Sequence, residues 1–311
     1  MKVLVIGAGM MGSACAYDLA HSTGVEHTII ADINEDRARA VAGAIGRNVE
    51  ACRLDTNLYH DVVELMRTVD CAIGASSYTH NYLLTRAAIE ARIHFCDLGG
   101  NMDVVDRQVS LDEDAKNANL CILPNCGLAP GLACVIAAGG AKRFQRVHEM
   151  HIRVGGLPQR PQPPLNYQIV FSAEGLINEY LEPAEVIRDG RRRHVESLSE
   201  CEELEFPPPF GMMEAFHTSG GVSTLTRMFD GTVQQLDYKT IRYKGHCEKF
   251  RMLLDLGFAS SEPITAGNSV RTAREFFEEL LRKKLPGEGP DVVLMRVTIR
   301  GEMDGKGMSQ V

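Results

Sequence analysis

The chain has 311 residues, 44% hydrophobic and 24% charged, the balance of an ordinary globular protein that is too long for one hydrophobic core, so two domains are expected. A net charge of −8 argues against a nucleic-acid surface or a basic membrane patch, and no apolar run reaches the ~18 residues that a membrane span needs. Nine cysteines lie scattered without a CxxC pair, which predicts buried, reduced thiols in a cytoplasmic protein and no metal site.

Up to residue 123, short apolar runs alternate with helical stretches. Strands are predicted over 3–6, 27–31, 49–53, 70–74, 93–97 and 120–123, and helices over 11–20, 34–45, 58–66, 81–91 and 105–116. Apolar strands alternating with helices specify an α/β fold, a doubly wound parallel sheet of Rossmann type, in a first domain of residues 1–125. After Pro124 the pattern changes. A helix is expected to start at Pro130 or Gly131, followed by β-type runs at 149–154, 165–171, 184–188, 192–198, 213–216, 233–243 and 292–300. Helices are expected at 246–256 and 269–284, and Asp189-Gly190 is a hairpin signal. Residues 126–311 therefore read as a second, α+β domain with a mixed or antiparallel sheet.

Gly7-Ala8-Gly9-Met10-Met11-Gly12 follows a buried strand and opens a helix, the setting in which a glycine fingerprint binds a dinucleotide. Gly7 allows the tight turn and Gly9 the approach of a pyrophosphate. Gly12 lets the helix pack close, and the helix-end amides at Met10 and Met11 face the anion. Asp32, twenty residues past Gly12, ends the second strand, where a carboxylate accepts from ribose hydroxyls and repels a 2′-phosphate. That favours NAD over NADP; Arg37 and Arg39 in the next helix read as a solvated face. Ser76, Ser77 and His80 follow the fourth strand on the cofactor side, His80 as a helix-start residue.

Several segments carry a sharper likeness. Asp97-Leu98-Gly99-Gly100, Asn125-Cys126-Gly127-Leu128-Ala129-Pro130-Gly131 and Gly155-Gly156-Leu157-Pro158 together resemble the saccharopine dehydrogenase family. Residues 172–180 (SAEGLINEY) and 238–246 (YKTIRYKGH) look like its L-lysine 6-dehydrogenase branch. The resemblance implies oxidation of an amine-bearing carbon of an amino acid with NAD as acceptor. In the lysine branch the ε-carbon becomes an imine, and its hydrolysis gives a semialdehyde that cyclises to piperideine-6-carboxylate. Such chemistry uses a base near pH 7 and partners for the substrate's charged groups.

Within the matching segments, Arg242 is the candidate for a substrate carboxylate, against a plain strand-end arginine. Glu174 is the candidate for a cationic amine, against a first-turn carboxylate favoured by the helix dipole. His246 has the titration range of a base, against a capping or packing role at a helix start. Asp97 ends the fifth strand, where open α/β sheets bind ligands, against support of the Gly99-Gly100 turn. Gly127 and Pro130 present a loop toward the nicotinamide; Tyr167 and His217 are strand residues with a core reading at least as good as a cleft reading.

Three functions stay open: a lysine-type dehydrogenase, a saccharopine-type enzyme cleaving a secondary amine, and an NAD-binding protein without turnover. Beyond Arg153 and Arg242 the motif segments offer few arginines, which favours the smaller substrate. Near 301–307 the chain reads as a strand entering a turn with no return strand, unlike the longer family members. An unpaired edge there invites a second copy, a homodimer. Arg191-Arg192-Arg193 reads as a solvated turn.

Overall fold

The computed structural model describes residues 1–266, 269–287 and 289–311. They form two compact units, Met1–Gly131 and Leu132–Val311. Among the described residues no helix is long and apolar enough to cross a membrane.

The first unit alternates strand and helix: β1 (Lys2–Ile6), α1 (Met10–His21), β2 (His27–Asp32), α2 (Glu35–Ile45), β3 (Val49–Arg53), α3 (Tyr59–Met66), β4 (Cys71–Gly74), α4 (Asn81–Ala91), β5 (His94–Asp97), α5 (Met102–Val109), α6 (Asp112–Asn117) and β6 (Ile122–Leu123). Its sheet runs β3-β2-β1-β4-β5-β6 with every pairing parallel, so the order reverses beside β1, where doubly wound sheets bind ligands. The pleat of β1 explains why the strand is apolar throughout. Leu4 and Ile6 pack with Val62, Met66 and Leu84 of α3 and α4, while Val5 packs with Ala16 and Ala38 of α1 and α2. Local chemistry sets the helix ends: Asn34 Oδ1 accepts from Arg37 N at 3.1 Å, and Gly46 ends α2 at φ +64°. The helix expected over 105–116 is two. Leu111 N bonds back to Gln108 O and Ser110 Oγ to Arg107 O, so the chain turns between α5 and α6.

The second unit comprises α7 (Leu132–Ala141), β7 (Arg146–Pro158), α8 (Ala173–Leu181), β8 (Ala184–Arg188), β9 (Arg191–Val195), β10 (Glu202–Phe206), β11 (Gly211–His217), α9 (Leu225–Phe229), β12 (Gln235–Tyr243), α10 (His246–Asp255), β13 (Pro263–Ala266), β14 (Ser269–Thr272), α11 (Ala273–Lys284), β15 (Asp291–Met303) and β16 (Lys306–Gln310). The main sheet runs β10-β11-β12-β7-β15-β16, with β8 and β9 attached beside β12. Only β12–β7 is parallel among these pairings, so the sheet is mixed.

The two faces of this sheet differ in chemistry. One carries Phe216 and Arg242 and is packed by Ile177 and Tyr180 of α8, Phe250 of α10 and Phe277 of α11. The other carries an ion lattice. Asp237 accepts from Arg153 at 2.6 Å and from Arg188 at 3.2 Å, and pairs with His151 at 2.9 Å. Despite its burial, these partners hold the Asp237 carboxyl far below the usual carboxylate range. His217 lies on this lattice face, paired with Glu200 at 3.1 Å.

Several expectations for this unit are overturned. Helix α7 starts at Leu132, not Pro130 or Gly131, because Gly131 has φ +130°, outside helical space. Residues 165–171 make no strand: Leu165, Tyr167 and Ile169 alternate because they plug the helical core, while Asn166 at φ +52° breaks an extended path. Residues 269–272 pair with β13, and the helix begins only after Thr272, whose hydroxyl and Glu275 form a capping box. A return strand does exist. β16 pairs antiparallel with β15 across a turn at Asp304 and Gly305, both at positive φ. Cysteine burial is also corrected: Cys247 is buried, whereas Cys121, Cys126 and Cys201 are exposed.

Candidate functional site

In the first unit the polar groups gather at the carboxyl ends of β1, β2, β4 and β5. Gly7 leaves β1 at φ +110°, and a Cβ there would lie 2.6 Å from Ala75 O. A Cβ on Gly12 would overlap the Gly7 carbonyl oxygen, so α1 packs this close only because Gly12 has no side chain. At Gly9 a Cβ would meet nothing within 4 Å. Gly9 is the N-cap of the twelve-residue α1 and supplies no side-chain cap, which leaves the first-turn amides for an anion. Met10 and Met11 stand 50% and 44% exposed at this end.

Asp32 closes the loop. Its Oδ2 accepts from Ala8 N and its Oδ1 from Asn34 N, each at 2.8 Å. The carboxylate is half-buried, and about two of its four acceptor positions remain for a ribose diol. Ser76 follows β4 beside Gly7; its Oγ is shut from solvent and has no hydrogen-bond partner among the described residues. An open glycine cradle, an uncapped helix start, a half-used carboxylate and an orphaned hydroxyl fit a dinucleotide. Ser77 is exposed and accepts from Thr79 Oγ1 at 3.0 Å, which ties it to the turn before α4. His80 ends that turn.

Asp97 lies deeper. It is fully buried, with Oδ2 accepting from Gln108 Nε2 at 2.6 Å and Oδ1 from Gly99 N at 2.8 Å and Asn125 N at 3.3 Å. Burial raises its pKa and these donors oppose the rise. Asp97 thereby joins the ends of β5 and β6. Cys126 N donates to Asp97 O at 2.7 Å, and Gly127 bridges to Gly131 around Pro130, a closure so tight that a Cβ on Gly131 would overlap Gly127 O.

In the second unit one candidate charge is buried. Arg242, from β12, is 2% exposed on the helix-covered face of the sheet. Its Nε donates to Tyr180 Oη at 2.8 Å and its Nη1 to Ile241 O at 2.9 Å, and its guanidinium lies 4.6 Å from the Tyr167 ring centroid. Among the described residues no carboxylate forms an ion pair with it. A chain of bonds fixes it. His246 Nδ1 meets Leu165 O at 2.9 Å and must donate to that carbonyl, so in the neutral ring Nε2 accepts from Tyr180 Oη at 3.1 Å. Burial, then the Arg242 charge, pushes His246 down to about 3. Glu214, opposite Arg242 on β11, accepts from Gly245 N and Cys247 N at 2.8 and 2.6 Å and so holds the start of α10.

Two family models cover nearly the whole chain. Residues 3–123 match the saccharopine dehydrogenase NADP binding domain and residues 127–310 the saccharopine dehydrogenase C-terminal domain. The chain belongs to the saccharopine dehydrogenase family.

Similar family members include the L-glutamate-forming, NADP(+) saccharopine dehydrogenase of Pyricularia oryzae, 23% identical over 84% of this chain and 58% of that protein. The mouse mitochondrial α-aminoadipic semialdehyde synthase is 21% identical over 85% and 29%, and the carboxyaminopropylagmatine dehydrogenase of Synechocystis 24% over 66% and 54%. The chain thus spans little more than half of these relatives, or less. Among solved structures, apo saccharopine dehydrogenase (L-Glu forming) of Saccharomyces cerevisiae shares the fold with a TM-score of 0.75 at 16% identity, covering 99% of this chain and 83% of that one. Homospermidine synthase of Legionella pneumophila, solved with NAD, gives 0.64 at 14% over 99% and 77%.

On this family frame the sequence candidates fall into distinct places. Gly7, Gly9, Met10, Met11, Gly12, Asp32 and Ser76 gather at one end of the first sheet, with Gly127 and Pro130 in the loop that Asp97 braces. Arg242 and His246 are joined through Tyr180, and His246 has both ring nitrogens engaged. Glu174 sits in the first turn of α8, half-buried, while the N-cap bond there comes from Ser172, whose Oγ accepts from Gly175 N at 2.8 Å. Sequence reasoning missed Tyr180 as the link and Glu179 beside it. Both stand in the SAEGLINEY segment, and a tyrosine one residue from a glutamate on a buried helix was the available signal.

Proposed function

We propose that this saccharopine dehydrogenase family member is an NAD-dependent oxidoreductase that oxidises the C–N bond of a small amino acid, with the ε-amine of L-lysine as the leading substrate. The observation that carries the reading is Arg242: a permanent cation, nearly buried, oriented by neutral partners and lacking a carboxylate of its own. A substrate carboxylate supplies the missing anion through the unused part of the guanidinium fork. Bound NAD would accept the hydride. Gly7, Gly9 and Gly12 would hold its pyrophosphate, Asp32 its adenosine ribose, and the Ser76 hydroxyl an adjacent polar group. Asp97 keeps the loop of Gly127 and Pro130 in place without meeting the ligand. His246, neutral and doubly bonded, positions Arg242 through Tyr180, and the reacting base lies elsewhere.

A second reading is a saccharopine-type dehydrogenase acting on a secondary amine, favoured by the names of the Pyricularia and Synechocystis relatives. NADH and NADPH formation at 340 nm with L-lysine, L-ornithine, saccharopine and carboxyaminopropylagmatine separates the two. Turnover of lysine with NAD supports the first reading. Turnover confined to the secondary amines installs the second, and tight NAD binding with no turnover of any of the four refutes both.

A further inference from the structure

We propose that Glu179 is the base of this site, taking the proton from the substrate's ammonium group beside Arg242; this rests on the amine-oxidising reading above. Glu179 closes the second turn of α8, next to Tyr180, and its backbone carbonyl is anchored by Ser219 N at 3.0 Å. Its side chain is only partly buried, so a ligand can reach it. No hydrogen bond or ion pair engages its carboxylate among the described residues. The buried carboxylates Asp97, Glu214 and Asp237 all have hydrogen-bond partners. Glu179 instead lies within electrostatic reach of Arg242 and Tyr238 from β12, Tyr180 from α8 and Tyr167 from the segment before it, with Glu182 just beyond the helix.

That surrounding has a definite chemical preference. Burial raises the pKa of each of the three tyrosine hydroxyls, Tyr167 to about 12 and the other two beyond it, so all three are neutral near pH 7. Neutral tyrosines beside a carboxylate suit an alkylammonium ion. The neighbouring guanidinium suits the carboxylate at the other end of an amino acid. Burial raises Glu179 to about 7, with Arg242 opposing the rise and Glu182 adding to it, so the group exchanges a proton in the working range of a base.

The step balances within the proposed reaction. An ammonium N–H bond breaks and a carboxyl O–H bond forms on Glu179, leaving a neutral amine. The freed nitrogen lone pair makes the C=N bond as hydride leaves the adjacent carbon, so the amine loses two electrons and NAD, the oxidant, gains them. Glu179 then releases its proton to water on its exposed side.

The test combines Glu179→Gln, Glu179→Asp and Glu174→Gln with two readouts. In the first, kcat/KM of the best amine from the four-substrate panel rises to a plateau through an apparent pKa near 7 in the native protein. Glu179→Gln lowers kcat by about 10²- to 10⁴-fold and abolishes that limb, Glu179→Asp restores part of it, and NAD affinity measured by calorimetry stays within twofold. A limb that survives in Glu179→Gln, or disappears in Glu174→Gln instead, overturns the proposal. In the second, glutamate side chains carry a 13C carboxyl label, and one resonance, absent in Glu179→Gln and displaced in Glu179→Asp, titrates near 7 and moves when L-lysine is added. A Glu179 resonance that titrates with ordinary glutamates and ignores lysine overturns the proposal whether or not turnover is seen. If it titrates near 7 and responds to lysine while no substrate turns over, the oxidoreductase reading fails and Glu179 as the amine's proton partner stands.

Discussion

Asp32 is predicted from sequence as a ribose ligand, and the structure gives it a second task that sets the size of its effect. Each carboxylate oxygen already accepts one backbone N–H, from Ala8 and from Asn34, at 2.8 Å. In Asp32→Asn one oxygen becomes an NH2 group that faces one of those donors, so a charge-assisted bond worth about 1.5–3 kcal/mol is lost from the backbone around the site. The same change removes one of the two acceptor positions left for the ribose diol, together with the negative charge. At about 1.4 kcal/mol per decade, NAD affinity falls by roughly 10- to 100-fold. NADP follows a different course, because the repulsion of its 2′-phosphate also disappears, and its affinity holds or rises. Calorimetric titration of both dinucleotides, with thermal melts of the free proteins, measures all three quantities. The expected pattern is NAD preference in the native protein, loss of that preference in Asp32→Asn, and a lower melting temperature. A native protein that binds NADP at least as tightly as NAD refutes the reasoning, and so does a variant whose NAD to NADP ratio stays within twofold.

Arg242→Leu removes a buried cation but leaves the Tyr180 to His246 bond, and an apolar side chain suits the surrounding layer, so the fold survives. The expected result is a KM for the amino-acid substrate raised by about 10²-fold or more with NAD affinity unchanged; an unaltered KM removes Arg242 from substrate binding. His246 supplies a pH prediction. Its folded pKa of about 3 lies below the ordinary 6.5, so the unfolded chain binds the extra proton first, and stability falls as pH drops from about 6.5 towards 3. At pH 4.5 the loss from this group is about 3 kcal/mol. Urea unfolding of the native protein and His246→Gln at pH 7 and 4.5 should show a smaller acid penalty in the variant. Equal penalties would mean the ring is protonated in the fold.

What the sequence revealed follows from which signals were local. The first unit was legible because β1 is buried on both faces and so reads as an unbroken apolar run, and because Gly7 and Gly12 sit where a Cβ meets backbone. β10 escaped notice for the opposite reason: Glu202, Glu203 and Glu205 interrupt its apolar residues, and Glu202 is consumed by Arg153 of β7 and Lys239 of β12. Residues 165–171 alternate like a strand because every second side chain enters the helical core, and alternation reports burial, not hydrogen bonding. His246 looked like a base because its residue type titrates near neutrality. Its two partners, Leu165 and Tyr180, are 81 and 66 residues away, and only tertiary structure discloses that they occupy both nitrogens.

The two arginines singled out in the second unit differ in what surrounds their charge. Arg153 and Arg242 are both almost fully buried on central strands of one sheet. Arg153 faces the lattice side, where Asp237 and Glu202 neutralise it, and removing both partners would leave a buried charge uncompensated. Arg242 faces the helical side, where a hydroxyl, a carbonyl and aromatic rings orient it but no ion pair neutralises it. If stability alone governed that position, an apolar residue among Phe216, Phe250 and Tyr180 would serve at lower desolvation cost. Keeping a permanent cation there, held in orientation by a histidine kept neutral, makes sense when an anion arrives from outside the chain.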